Sequence, residues 1–346
     1  MQYCNLILTK VIEFGFTTFT SGLKSLLLSD KLNNVPQSSS TTIYWIKLTV
    51  KWMRQSFSEL KRNDPLRLAG ATAFFSTFAL PPILIILIQL FGLFLNRNEL
   101  SSQLISRLAN LLGKTSAMQV QQVLAHFDSR SQNLFALSLG FLFLTFVATT
   151  LFSVIKNSLD QIWKIRVKAH PGLWFYLKLR GRSLIIILLA GFLFLILLFI
   201  ESMQALLGEY IAYLGPRAGN FLNGAVNELI FIATVTIWFS IIFRFLTDGR
   251  PEWKAALAGG FFTAILFSFG KVILKSLLSL SNISNIYGAS GSIVLILLFV
   301  FYSSLIFYYG GCFIKAMSDD LSLPIRPVKE AFRYQVQEIY PDEPTP

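Results

Sequence analysis

Residues 291–317 read GSIVLILLFVFYSSLIFYYGGCFIKAM, twenty-seven positions with a single charge, Lys315, close to the end. Crossing a hydrocarbon core of roughly 30 Å takes about 20 apolar residues at about 1.5 Å each, and this stretch exceeds that. Within lipid every peptide group must find its partner inside the protein, so such a segment is helical or belongs to a closed barrel. Its continuous apolarity, without two-residue alternation, excludes the barrel strand. Five more stretches meet the same test, giving six expected spans near 68–95, 134–155, 183–207, 226–246, 255–278 and 291–317. The fold class is therefore all-α, a polytopic membrane protein.

Composition agrees. Of 346 residues 54% are hydrophobic and 14% charged, against about 25% charged in ordinary soluble domains, and the mean hydropathy is +0.59. The net charge of +12 invites a nucleic-acid reading, but its placement answers otherwise. Nine Lys or Arg precede the first span, four lie in the long 96–133 connection, seven fall between Lys156 and Arg182, and Arg217 stands alone after the third span. Arg250 and Lys254 follow the fourth, with Arg244 just inside it, and the last connection has none. Basic residues stay on the cytoplasmic side, so the alternation predicts both termini inside and accounts for the charge without nucleic acid.

Around this core, residues 1–42 are read as a cytoplasmic or interfacial segment, 43–323 as the membrane domain and 324–346 as a loose cytoplasmic tail. Residues 43–62 alternate basic and bulky apolar positions at helical intervals and predict an amphipathic helix on the membrane surface. Residues 3–28 are a second candidate, and Ser-rich 37–42 a link between them. No basic region precedes the first apolar run, so no cleaved signal peptide is expected. The 96–133 connection, with Leu104, Ile105, Leu108, Leu111 and Leu112 at helical spacing, predicts one or two helices on the outer face. Pro81 and Pro82 fall inside the first span, where they remove two backbone donors and predict a kink held against neighbouring helices.

Several features resemble the YihY/BrkB family of bacterial inner-membrane proteins, once labelled ribonuclease BN. The resemblance covers about residues 45–318. It rests on Ser284 through Gly291 (SNIYGASG), on Tyr302, Ser303, Gly310 and Gly311, on the run from Ala73 to Pro81, on Ile162-Trp163 and on Arg244-Phe245-Leu246. Cys312 and Thr247 depart from it, standing where relatives carry an acid and a proline. The resemblance implies the bacterial inner membrane and an envelope or lipid-related role.

The chemistry-bearing residues fall into three sets. Lys271 and Lys275, at i and i+4, share one face of the fifth span in its outer half. Glu201 and Gln204 end the third span at that depth, and Asn227 and Glu228 begin the fourth there. These are read either as snorkelling side chains or as the lining of an outward-open cavity able to hold a phosphate-bearing headgroup. A cytoplasmic set, Lys156, Asn157, Asp160, Arg244, Asp248, Lys315 and Asp319, is read as interfacial pairing. The turn containing Asn285, Tyr287, Gly288 and Gly291 is either a packed outer turn or a gating element. Enzymes are disfavoured: His126 and His170 are expected on opposite sides of the membrane, the two cysteines, Cys4 and Cys312, do not pair by spacing, and no nucleotide, nucleophile or zinc motif is present. No cofactor or metal is expected. The expected partners are membrane lipids and envelope proteins, and the expected function is transport, or assistance in transport, of an amphipathic anion such as phospholipid or a lipid A-like species. The alternative is a structural or regulatory protein that binds lipid or partners without moving them.

Overall fold

A computed structural model describes residues 40–92, 96–112, 117–122, 124, 134–168, 177–178, 180–193, 195–196, 216–280 and 291–336. Helix α1 (Ser40–Arg62) leads through a tight corner into α2 (Pro65–Phe91), followed by α3 (Arg97–Leu112) and α4 (Leu134–Ile162). Residues 180–193 form α5. Then come α6 (Pro216–Ile241), running into a π-helical turn at Ile242–Leu246, α7 (Trp253–Leu280) and α8 (Gly291–Asp320). Four stretches are long and apolar enough to cross a membrane among the described residues: Pro65–Phe91, Glu228–Leu246, Trp253–Ile273 and Ile293–Asp320. The protein is a helical polytopic membrane protein, and apolar side chains such as Phe74, Phe78, Leu142 and Phe143 stand exposed on its flanks.

The corner before α2 is locally encoded. Asp64 takes a left-handed backbone, φ 50°, and Pro65 opens the helix where its missing N–H costs nothing. The helix then continues through Pro81 and Pro82 to Phe91. Proline removes donors but keeps a helical φ, and the turns beyond it are gripped on both sides. Leu84, Ile85 and Ile88 pack with Leu100 and Leu104 of α3, Val120, and Ile296 of α8. The connection after α2 is thus helical over Arg97–Leu112, as expected within 96–133, and α2 runs on through its two prolines.

At the centre stands α8, packed against α1, α2 and α7, while α6 lies along α7 and α4 along α2. Lipid offers little hydrophobic drive between helices, so close packing and buried hydrogen bonds must hold them. Phenylalanine supplies the first. Phe243 stacks on Phe307 with centroids 4.8 Å apart, and Phe262 on Phe313 at 4.3 Å. The Tyr308 hydroxyl meets Thr72 of α2 and Ser158 of α4, which ties three helices at one point. Small residues complete the fit: a methyl added at Gly310 would overlap Thr263 of α7.

Two short antiparallel ladders close one end. Strand β1 (Ile165–Val167) pairs with β4 (Ala331–Arg333), and β2 (Gly249–Arg250) with β3 (Arg326–Pro327). The tail after Pro324 is therefore not loose over these residues, because it satisfies backbone groups of the links after α4 and the π turn; residues 337–346 lie outside the described set. Of the expected link at 37–42, residues 40–42 already belong to α1, and residues 37–39 lie outside the described set. Helix α1 matches the expected amphipathic segment but is docked more deeply than a surface helix. Thr49, Trp52, Ser56 and Leu60 form its buried face, and Trp52 Nε1 donates to Asp320 Oδ2 at 2.9 Å. Residues 3–28 lie outside the described set.

Gly310→Val should cost about 1–3 kcal/mol, the usual penalty for overpacking. Thermal melting of the detergent-solubilised protein would show this as a clear downward shift, with Gly70→Ala, where no atom lies within 4 Å of the added methyl, unchanged.

Candidate functional site

Lys156 and Asp160 sit one helical turn apart at the end of α4, so their side chains meet on one face, with Lys156 Nζ 2.9 Å from Asp160 Oδ2. The link after the π turn carries Asp248 into the same spot. Lys156 Nζ lies 2.6 Å from Asp248 Oδ2, off the hydrogen-bonding direction, so that oxygen has an ion pair but no aligned donor. Arg182, early in α5, closes the set by donating to Asp248 Oδ1 at 3.0 Å and to the Thr247 carbonyl at 3.1 Å. The Asp248 backbone N–H donates to Asp160 Oδ1 at 3.0 Å, and the Asp248 carbonyl accepts from Val328 N–H at 2.8 Å.

Two cations and two carboxylates make the group neutral, which is the condition for tolerating it indoors. Lys156 and Asp248 have side chains only 4% and 1% exposed. Burial pushes the Asp160 carboxyl up to about 6, and the Lys156 charge only partly opposes this. Asp160 lies more than a turn beyond the apolar stretch expected to end at 155. The sequence placed Lys156, Asp160 and Asp248 at one level, and the structure pairs them in a buried network. Arg182 was legible only as a topological charge.

Three residues expected in this set, Arg244, Lys315 and Asp319, have other partners. Arg244, within the π turn, donates to the Pro251 carbonyl and lays its guanidinium over Trp253 at 4.8 Å. Lys315 pairs with Glu59 of α1, because α8 presents it to the docked helix and not to the ladders. There burial favours the neutral acid, but the Lys315 hydrogen bond and charge outweigh it and hold Glu59 below its usual range. Asp319 pairs with Arg333 at 3.0 Å. No sequence signal pointed to Glu59, since α1 read as a surface helix.

At the other end, Lys271 Nζ lies 3.1 Å from Glu228 Oε2 and 3.8 Å from the Phe231 ring centroid, and the Ser268 hydroxyl donates to Glu228. The expected encounter of these helices is real for this pair. The side chains of Lys275 and Asn227, and Glu201, Gln204, Asn285, Tyr287 and Gly288, lie outside the described residues; Gly291 opens α8. Among the described residues no group of His, Cys, Asp and Glu could hold a metal ion, and Cys312 is a free, buried thiol.

Of the residues that carry the resemblance, Ile162, Trp163, Gly310 and Gly311 make packing contacts, and residues 284–290 lie outside the described set. Trp163 Nε1 donates to the Gly311 carbonyl at 2.9 Å, and Ile162 and Trp163 are both core residues. Thr247 bonds back to the Phe243 carbonyl at 3.1 Å. Beside the ion network, Arg182, Arg244 and Asp248 line part of a cleft of about 1150 Å³.

A family model described as virulence factor BrkB matches residues 56–331. A UPF0761 membrane protein of Saccharophagus degradans is 26% identical over 267 residues, 76% of this chain and 58% of its own length. One from Psychromonas ingrahamii is 24% identical over 77% of this chain and 87% of its own, and one from Teredinibacter turnerae 23% identical over 78% and 61%. The chain thus spans under two thirds of two of these relatives. No solved structure matches it.

Removing one partner of a buried ion group strands the rest, at about 3–5 kcal/mol. Lys156→Met should therefore destabilise by that order in thermal or denaturant unfolding, and Lys156→Met with Asp160→Leu, which leaves Arg182 and Asp248 balanced, should recover most of the loss. Because the folded protein holds the Asp160 proton more tightly than the unfolded chain, its share of stability is complete below about pH 4 and is lost as pH rises through about 6. Asp160→Asn should flatten the melting-temperature profile across that window.

Proposed function

Because the chain belongs to the virulence factor BrkB family of membrane proteins, we propose that it carries, or helps deliver, an amphipathic anion across the bacterial cytoplasmic membrane, phospholipid or lipid A-like species first. In this reading the chain crosses six times with both ends inside, as its basic residues alternate, and works without enzymatic chemistry. The observation that carries the proposal is the Lys271–Glu228 pair. Each member lies at the same end of a stretch fit to span lipid, Glu228 opening Glu228–Leu246 and Lys271 close to the end of Trp253–Ile273, short of the bilayer centre where an ionisable side chain costs about 2.5–3.5 kcal/mol, and an ionisable pair within such stretches marks a candidate path. The pair is part-exposed, 30% and 37%, so an anionic headgroup could exchange with the carboxylate on Lys271.

A structural or regulatory role in the envelope is favoured by one feature of the same pair: Glu228 and the Phe231 face already satisfy the Lys271 cation, as a fixed helix clamp would. Purified protein in liposomes carrying a fluorescent phospholipid separates the two. Transport predicts faster exchange between leaflets than in empty vesicles, and about tenfold slowing in Lys271→Ala, the worth of one charge-assisted contact. Exchange at the empty-vesicle rate for wild type and variant alike would remove the carrier and leave the clamp.

A further inference from the structure

The cleft beside the ion network is walled by three separate pieces of chain: the start of α5, the link from the π turn into α7, and the segment after α8. Seven Lys or Arg line it against three acids. Part of that charge is spoken for, since Arg182 and Asp248 belong to the buried network and Arg244 to Pro251 and Trp253. Among the described residues, however, Lys178, Arg250, Arg326 and Lys329 form no ion pair. Retention of basic residues at the cytoplasmic face explains why cations collect at this end. It does not explain their arrangement.

Arg250 and Arg326 stand directly opposite each other across the β2–β3 ladder. Directly opposed residues of an antiparallel pair project to the same face, and like charges there destabilise the ladder. This ladder has two residues per strand, so it has little else to offset the repulsion. An anion between the two guanidiniums converts the repulsion into a pair of charge-assisted contacts, and the planar fork of arginine fits phosphate oxygens. The cleft is also part apolar: Trp253 and Ile185 are 47% and 65% exposed, and both line it. A tryptophan at the membrane–water boundary beside an apolar wall suits a ligand with a hydrocarbon end.

We propose that this cleft is a binding site for a phosphate-bearing anion, held between Arg250 and Arg326 with Lys178 and Lys329 around it, and that the ligand is a lipid phosphate headgroup of the adjacent leaflet. The inference stands apart from the transport reading. It concerns the opposite end of the bundle and is tested by binding, so its failure and failure of translocation are distinct results.

The test uses the full chain in detergent, with dioctanoyl phosphatidic acid, dioctanoyl phosphatidylcholine and sodium pyrophosphate as probes, read by calorimetric titration and thermal melting. Arg250→Gln/Arg326→Gln is compared with Lys47→Gln/Arg54→Gln, which removes the same charge from the exposed face of α1. Phosphatidic acid should bind wild type at least about tenfold more tightly than phosphatidylcholine, and the cleft variant should lose about tenfold while the α1 variant stays near wild type. Equal losses in the two variants would reduce the effect to general surface charge and overturn the site. The ligand-free cleft variant should melt at or above the wild-type temperature, because a repulsion has gone; a lower value would make the arginines part of the fold and also overturn it. Pyrophosphate binding more tightly than phosphatidic acid would keep the phosphate site and reassign it to a soluble ligand.

Discussion

A peptide group in hydrocarbon has no water to turn to, and this requirement shapes the whole molecule. Long apolar stretches must be helices, and helices that traverse must return. In this chain the returns gather at one end. The link after α4, the link before α7, the segment after α8 and the helix before α2 are tied together there by two short ladders, a buried ion network and the Trp52–Asp320 and Lys315–Glu59 contacts. The far end is capped by α3 and the segment around Val120, which pack on Leu84, Ile85 and Ile296. The two ends thus differ in kind: one is polar and cross-braced, the other is covered by an apolar helical cap.

The braced end shows how a membrane protein hides charge. Lys156, Asp160, Arg182 and Asp248 sum to zero, and each comes from a segment that the network fixes relative to the others. A neutral, hydrogen-bonded group of this type adds little net stability compared with an apolar core, yet its disruption is costly. Its role is to set which segments meet. By holding Asp248, it positions the π turn on one side and the β2–β3 ladder on the other, and so builds the wall of the basic cleft.

Four of the six expected spans coincide with described helices long and apolar enough to cross a membrane, and these could be read directly because length and apolarity are all that lipid asks. Helix α1 and helix α3 were legible too, from helical spacing of apolar residues. Finer features were not. A π turn leaves the apolar pattern of residues 242–246 unchanged, so the partners of Arg244, the Pro251 carbonyl and Trp253, carry no sequence mark. Strands of two or three residues are too short for alternation to register, which is why the tail after Pro324 read as loose. Arg182 and Glu59 were hidden for another reason: each looked sufficient as a topological or surface charge, and pairing over such sequence separations leaves no local pattern. The i, i+4 spacing of Lys156 and Asp160 did leave one. The family residues Trp163, Gly310 and Gly311 drew attention as motif positions, and the structure gives each a packing reason.

If the long apolar helices cross a bilayer, residues 40–67, 156–168, 244–254 and 315–333, gathered at one end, must share one face of the membrane, and α3 with residues 117–122 must lie at the other. In a chain with Cys4 and Cys312 replaced by serine, single cysteines at Lys61, Arg250 and Lys329 should react with an impermeant maleimide only from the cytoplasmic side, in inverted vesicles. Cysteines at Arg107 and Met118 should react only from the outside, in intact cells. Labelling of Arg250→Cys and Met118→Cys from the same side would contradict the arrangement.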